Sequence, residues 1–431
     1  MRILLISPNR LRLVAPPLPL ALACLAASWS GHHEVYTLDL MFADDPEGAL
    51  SRALADSRPE LAAVSLRNLD NQDSRHPESY YPEVRDLIRR LRSMSNASLL
   101  VGGSGFSLMP RELLAYLEAD FGLAGEGELS VLRFLEDYPH GAWRQTPGLV
   151  YRGHDGITAN PPALVARLED LPDPALEVCS PVLYHEAEGS AKLAGVIPVQ
   201  TRRGCPMRCI YCTTPRLEGR RLRAWPPERV AGWLARWHEK WGLTRFYFVD
   251  SLFNHPQDYA RRLCQALLEL RLPLEWAAII NPAFPDGELF HLMRRAGAVR
   301  VQVGNESGSE LVLQRLGKGF GRDQVVQTLS LLEEAGLAYA CFLLLGGPGE
   351  NRRTVAESID LMERFHPLLV NLTVGIRIYP GTEMHRLALD AGMVQEGESL
   401  LRPAFYLEPG LEPWIWEHLA EVQSRHPTWI F

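Results

Sequence analysis

Short apolar runs alternate with longer amphipathic ones along most of this chain, and that alternation restricts the fold more than any other feature. Arg2–Ser7, Glu34–Leu40, Leu61–Leu66, Ser98–Val101 and Phe121–Ala124 read as strands. Leu18–Trp29, Glu47–Ala55, Pro82–Ser93 and Arg111–Leu117 read as the helices between them. Strand, helix, strand in that order builds a parallel sheet, because a crossover must carry the chain back before the next strand. The pattern resumes later. Strands are expected at Ala194–Val199, Thr244–Val249, Glu275–Ile279, Val299–Val303, Tyr339–Leu345 and Val370–Ile378. Helices are expected at Pro227–Glu239, Asp258–Leu270, Gly287–Ala296, Arg322–Ala335 and Arg353–Arg364. A chain of 431 residues is too long for one ordinary core. The expectation is therefore an α/β protein of several parts. Residues 1–135 form a doubly wound parallel sheet. Residues 136–185 form a Pro-rich linker with a hairpin over 148–158. Residues 186–390 form a partial (βα)6 barrel, and 391–431 a short aromatic-rich cap.

Ligands of such folds bind at the carboxyl ends of the strands. In the first part those ends carry Ser7-Pro-Asn-Arg10, Leu66–Asn71, Gly102–Phe106 and Gly125-Glu126-Gly127. In the second they carry Thr201–Thr213, Asp250–Asn254, Gly304–Ser309 with Lys318-Gly319 beyond, Gly346–Glu350 and Gly375–Thr382. The first of these barrel loops holds Cys205, Cys209 and Cys212 at Cys-x-x-x-Cys-x-x-Cys spacing. Three thiolates on one loop suit an iron–sulfur cluster or zinc. A structural zinc site wants a fourth ligand, and no nearby Cys or His supplies it. Three buried cysteines without a metal are the plain alternative. The other cysteines, Cys24, Cys179, Cys264 and Cys341, are scattered, and seven in this length is no disulfide framework. Net charge is -8, with no large basic face for nucleic acid. Leu18–Trp29 is too short to span a bilayer and lacks a positive segment directly before it, so it reads as a buried helix of a cytoplasmic protein.

The cysteine spacing, with Tyr211 just before the last Cys, resembles the radical S-adenosylmethionine (SAM) superfamily. The resemblance implies a [4Fe–4S] cluster on Cys205, Cys209 and Cys212, with SAM chelating the open iron. Glu306 and Ser307, in Glu-Ser-Gly-Ser, are then expected near SAM's polar groups, and Asp250 near its amino group. Backbone groups around Ile376 and Ile378 would bond the adenine, with Tyr211 beside it. Arg377 would point into the barrel toward substrate, or form a salt bridge. The first part resembles the cobalamin-binding domain that precedes some radical SAM domains: Pro16-Pro17 leads into the first helix and Gly102-Gly103 follows the fourth strand. That implies cofactor contacts from Ser65, Arg67, Asn68, Gly102, Gly103, Gly105, Gly125 and Glu126. The first loop has no Asp-x-His-x-x-Gly to place a histidine on cobalt. Arg67 would instead lie under the corrin and disfavour a lower ligand, unless it pairs with Asp70 or Asp73. Cys341 is expected to pack, with a role as a soft substrate ligand as the alternative.

The resemblance spans about residues 1–390 and implies a cobalamin-dependent methyltransferase for a small natural-product or cofactor-type substrate. Methylcobalamin would carry the methyl group, and a 5′-deoxyadenosyl radical would activate the substrate. Arg67 under cobalt would make a polar transfer the variant. An external one-electron reductant of the flavodoxin or ferredoxin type is implied, and no nucleic-acid or membrane partner. Non-methylating chemistry on the same fold stands beside it: ring contraction, cyclisation, or transfer of SAM's 3-amino-3-carboxypropyl group. A cobalamin- or cluster-based sensor is the alternative of another class.

Overall fold

The computed structural model describes residues 1–12, 15–187 and 195–430. They divide into two compact units. The first unit takes residues 1–71, 78–198 and 216–219, and the second takes 72–77, 199–215 and 220–431.

The first unit runs β1 (Arg2–Ser7), α1 (Leu20–Trp29), β2 (Glu34–Asp39), α2 (Pro46–Ser57), β3 (Leu61–Ser65), α3 (Tyr81–Met94) and β4 (Ser98–Gly102). It continues through α4 (Ser104–Leu108), α5 (Pro110–Leu117), β5 (Phe121–Leu123), α6 (Gly127–Asp137), β6 (Leu149–Gly153), β7 (Gly156–Ala159) and α7 (Pro181–Glu186). Its sheet has the order β2-β1-β3-β4-β5-β6-β7. The first five strands are parallel, and the change of direction between β1 and β3 opens a crevice at their carboxyl ends. The hairpin expected in the linker is present, but it pairs antiparallel onto β5 and so extends this sheet. The helices form for local reasons. Asp45 caps α2 through the Gly48 N–H, and Pro46 opens it. In α3, Val84, Leu87, Ile88 and Leu91 recur at helical spacing and are buried, while Arg89 and Arg90 stay exposed. Trp29 ties α1 to α6 by donating to the Gly127 and Glu128 carbonyls.

The second unit is built around seven strands that lie side by side in the order Trp429–Ile430, Leu369–Val374, Ala338–Leu345, Ala298–Glu306, Glu275–Ile280, Arg245–Phe248 and Ile197–Val199. The chain passes β8 (Ile197–Val199), β9 (Arg202–Arg203), α8 (Thr214–Leu217), β10 (Arg223–Ala224), α9 (Pro227–Trp241), β11 (Arg245–Phe248), α10 (Gln257–Glu269) and β12 (Glu275–Ile280). Next come α11 (Gly287–Arg295), β13 (Ala298–Glu306), α12 (Glu310–Arg315), α13 (Arg322–Glu334), β14 (Ala338–Leu345), α14 (Arg352–Arg364) and β15 (Leu369–Val374). It ends with β16 (Ile376–Arg377), α15 (Glu383–Asp390), β17 (Phe405–Tyr406), α16 (Trp414–Arg425) and β18 (Trp429–Ile430). The six expected strands are all present, although Ala194, where the first was expected to begin, lies outside the described residues. The sixth ends earlier than expected. Gly375 at φ +80° turns the chain, and Ile376–Arg377 pairs antiparallel with Phe405–Tyr406 instead. The short β18 extends the sheet beside β15.

Residues 72–77 follow β3 in sequence but belong to the second unit. Ser74 Oγ donates to the Val374 carbonyl at 2.5 Å, and the Arg75 guanidinium lies over the Trp416 ring, 5.3 Å from its centroid.

Candidate functional site

The cysteine loop leaves β8 and is clamped at once. Asp250, at the carboxyl end of β11, is 2% exposed and accepts five hydrogen bonds. Oδ1 takes the Thr201 and Arg202 backbone N–H groups at 2.7 and 3.0 Å. Oδ2 takes the Thr201 hydroxyl at 2.5 Å and the Arg202 guanidinium at 3.1 Å. Arg202 also donates to the His255 and Phe253 carbonyls. Asp250, expected beside SAM, is thus placed as the anchor of the segment that leads into Cys205. Further along, the Ile210 N–H bonds the Leu316 carbonyl and the Met384 N–H bonds the Ile210 carbonyl, which fastens the loop to α12 and α15.

Cys205 is buried, and Cys209 and Cys212 are half-buried. Burial pushes the Cys205 thiol up to about 11, and the neighbouring Cys212 and Cys209 push the same way. The three thiols therefore lie within electrostatic reach of one another. Among the described residues no three His, Cys, Asp or Glu side chains are grouped to hold a single metal ion. A four-iron cluster takes one thiolate per iron, so its ligands need not meet at one point. Three soft donors on one loop, with no fourth beside them, fit such a cluster.

Beside the thiols stands a charged group that sequence reasoning gave no role. Lys318 Nζ lies 3.1 Å from the Tyr211 hydroxyl and 3.2 Å from Glu306 Oε1, with its side chain only 5% exposed. Burial works against the ammonium, but Glu306, Tyr211 and Cys209 outweigh it and hold its pKa well above the usual lysine value. Burial, and then the Glu306 charge, raise the Tyr211 hydroxyl. Glu306 itself sits at φ +60°, next to a register shift between β13 and β14. A left-handed non-glycine residue costs roughly 1–3 kcal/mol, and such irregularities re-aim a side chain. Lys318-Gly319 lies just past the Glu-Ser-Gly-Ser stretch, but nothing local indicates that it reaches back to Glu306 and Tyr211.

The other expected SAM contacts are enclosed. Ser307 is fully buried, with its hydroxyl 3.1 Å from that of Ser358. The Ile378 N–H goes to the Ala404 carbonyl, and Ile376 pairs with Tyr406. Arg377 is 5% exposed and donates to the Ile378, Ala404 and Leu400 carbonyls, which staples 400–404 to the barrel. Cys341 is fully buried in the row that faces the helices, and burial raises its thiol pKa.

In the first unit, the loops after β3, β4 and β5 interlock. The Leu66 N–H bonds the Gly102 carbonyl, and the Gly105 N–H bonds the Leu66 carbonyl. The Ser104 hydroxyl donates to the Arg67 carbonyl at 2.7 Å, and the Gly125 N–H to the Ser107 hydroxyl at 2.9 Å. Gly103 has φ +104°, and a Cβ there would lie 2.6 Å from the Leu66 carbonyl oxygen. The glycine is demanded by that close approach of two loops. Ser65 ends β3 opposite Gly102. Glu126 accepts the Val165 N–H at 2.6 Å and so pins the chain beyond β7. Arg67 and Asn68 are exposed, and the Arg67 guanidinium has neither hydrogen bond nor ion pair among the described residues. Protein on its flanks nonetheless lowers its pKa. Water reaches the group, yet it is set in a recess. An edge floored by bare backbone, with an uncompensated cation at its rim, suits a bulky cofactor laid across the strands.

Residues 199–362 match the family model of the radical SAM superfamily, and residues 11–135 match that of the B12 binding domain. A Pyrococcus horikoshii protein described as an uncharacterized methyltransferase is 23% identical over 374 residues, 86% of this chain and 78% of its own. The cytidylyl-2-hydroxyethylphosphonate methyltransferase of Streptomyces wedmorensis is 26% identical over 407 residues, 85% of this chain and 74% of its own. The solved structure of the radical SAM methyltransferase TsrM from Kitasatospora setae, with cobalamin and a [4Fe-4S] cluster bound, has the same fold. It superimposes with a TM-score of 0.84 at 22% identity, over 100% of this chain and 90% of that one. The chain thus combines a radical SAM domain with a B12-binding domain. Among the described residues no helix is long and apolar enough to cross a membrane.

Proposed function

We propose that this protein is a cobalamin-dependent radical SAM methyltransferase that acts on a small molecule. The observation that carries the reading is the union of two parts in one chain: a B12-binding fold over 11–135 and a radical SAM barrel whose first strand runs into the cysteine loop. When bound, the cluster supplies single electrons to SAM, and cobalamin supplies a carrier for a methyl group.

The chain's own residues do the rest. Cys205, Cys209 and Cys212 hold the cluster, and Asp250 fixes the start of their loop. Lys318 and Glu306 present opposite charges beside the thiols, where the amino and carboxylate groups of SAM would be oriented. Arg67 carries no acceptor atom and so contributes no ligand from the β3 side. A one-electron donor of the flavodoxin or ferredoxin type and a reducing cytoplasm complete the proposal. The test is anaerobic reconstitution with iron, sulfide, cobalamin and SAM, followed by product analysis with a reductant and a panel of small acceptors. S-adenosylhomocysteine with a methylated product supports the reading. 5′-Deoxyadenosine with an unmethylated, rearranged product assigns the protein to non-methylating chemistry. Methylthioadenosine points to transfer of the aminocarboxypropyl group.

A further inference from the structure

The register of the barrel strands assigns each an outward and an inward row. Val301, Val303 and Cys341 are fully buried and share the outward row. The residues between them face the lumen. Tyr247, Arg300, Gln302, Phe342, Asn371 and Thr373 fall in that inward row, and all six are half-buried where the outward row is closed.

The polar groups of this row are mostly donors. The Tyr247 hydroxyl donates to Gln302 Oε1 at 2.5 Å, and the Thr373 hydroxyl to Asn371 Oδ1 at 3.4 Å. The amide nitrogens of Gln302 and Asn371 then have no acceptor among the described residues. Arg300 stands in register between Ala277 and Ala338, so its strand neighbours are too small to cover it. Its guanidinium makes no hydrogen bond or ion pair among the described residues. Among the described residues two carboxylates occur in the inward rows. Glu306 is held by Lys318, and Glu275 stands at the exposed start of β12 as the register partner of Arg245. A half-buried guanidinium with no protein acceptor is free to take an oxyanion, with which it makes paired, charge-assisted bonds.

The geometry points to an anionic substrate, whose carboxylate, phosphate or phosphonate group is held by Arg300 while Gln302 and Asn371 donate to its other oxygens. This rests on the methyltransferase reading in one respect, that the occupant of the lumen is the methyl acceptor. Arg300 precedes Glu306 by six residues of strand, which is about 20 Å at the usual rise. The oxyanion is therefore an anchor remote from the reacting carbon, and the apolar body of the substrate runs past Phe342 toward the carboxyl edge.

The experiment uses the full chain loaded with its cofactors, with benzoate and phenylphosphonate as probes and benzamide as the neutral control, in saturation-transfer NMR titrations. Both anions bind more tightly than benzamide, and Arg300→Gln weakens them at least about fivefold while leaving benzamide unchanged. Arg300→Lys keeps most of the anion affinity. Gln302→Glu, which sets a carboxylate in the same row, abolishes it, and this second variant decides the matter if Arg300→Gln does not fold. Equal affinity for benzoate and benzamide, or anion binding indifferent to both Arg300→Gln and Gln302→Glu, overturns the assignment. Cofactor content and SAM turnover are measured on the same samples. Failure there sinks the methyltransferase reading and leaves the anion result standing.

Discussion

Removing the Asp250 carboxylate is the sharpest perturbation available. Asp250→Ala deletes five accepted hydrogen bonds and leaves the Arg202 guanidinium, 2% exposed, without its counter-ion. Arg202 keeps two backbone carbonyls and the face of Tyr259, so it is not left wholly bare. Breaking a buried pair by removing one partner costs about 3–5 kcal/mol. For a cooperative unit of some two hundred residues, each kcal/mol is worth roughly 2–4 °C, so the unfolding of the second unit should fall by about 6–20 °C. Asp250→Asn keeps one oxygen for the Thr201 and Arg202 N–H groups and should fall by less. The assay is anaerobic scanning calorimetry of the cofactor-free protein, with iron counted after reconstitution. Thr201 and Arg202 lie just ahead of Cys205, so iron uptake should drop along with stability. A melting point within about 2 °C of the parent, with full iron loading, would refute the claim that this carboxylate sets the course of the cysteine loop.

Lys318→Met leaves Glu306 unpaired beside the thiols, and should weaken SAM binding at least about tenfold by equilibrium dialysis on the reconstituted protein. Gly103→Ala places a Cβ 2.6 Å from the Leu66 carbonyl oxygen at φ +104°, so the first unit should lose more than about 1 kcal/mol in urea titrations and cobalamin retention should fall with it. Glu350 is buried, and burial pushes its carboxyl up to about 7. The folded protein then holds a proton that the unfolded chain releases above about pH 4.5, so stability falls as pH rises toward 7 and levels off above it, by about 3 kcal/mol in all. Glu350→Gln should flatten that decline when urea midpoints are compared between pH 5 and 8.

Local features were the legible ones. Alternating apolar runs are short-range signals, so the parallel strands of both units and most of their helices could be placed from the chain alone. The cysteine trio was legible because its ligands fall within eight residues of one another. What escaped notice depends on register or distance. Nothing around Leu149 says that β6 will pair with β5. Two-residue strands such as Trp429–Ile430 carry no periodicity. Lys318 reaches Tyr211 across 107 positions. Asp250, Arg377 and Ser307 stand at the right ends of the right strands for ligand contacts, and side-chain geometry adds that each also bonds groups of the protein itself. Arg67 is the reverse case: it was expected under the corrin, with pairing to Asp70 or Asp73 as the alternative, and its guanidinium has no such partner among the described residues.

The six residues after β3 that lodge in the second unit have a consequence for dissecting the gene. A fragment starting anywhere past them would give a barrel whose Val374 carbonyl has lost its Ser74 donor and whose Trp416 ring has lost its Arg75 cover. A fragment ending before the barrel would carry the same residues with nothing to dock on. No single scissor point separates the two halves cleanly, so the catalytic portion should be recovered only as part of an undivided polypeptide, or with a synthetic peptide spanning 72–77 returned to it.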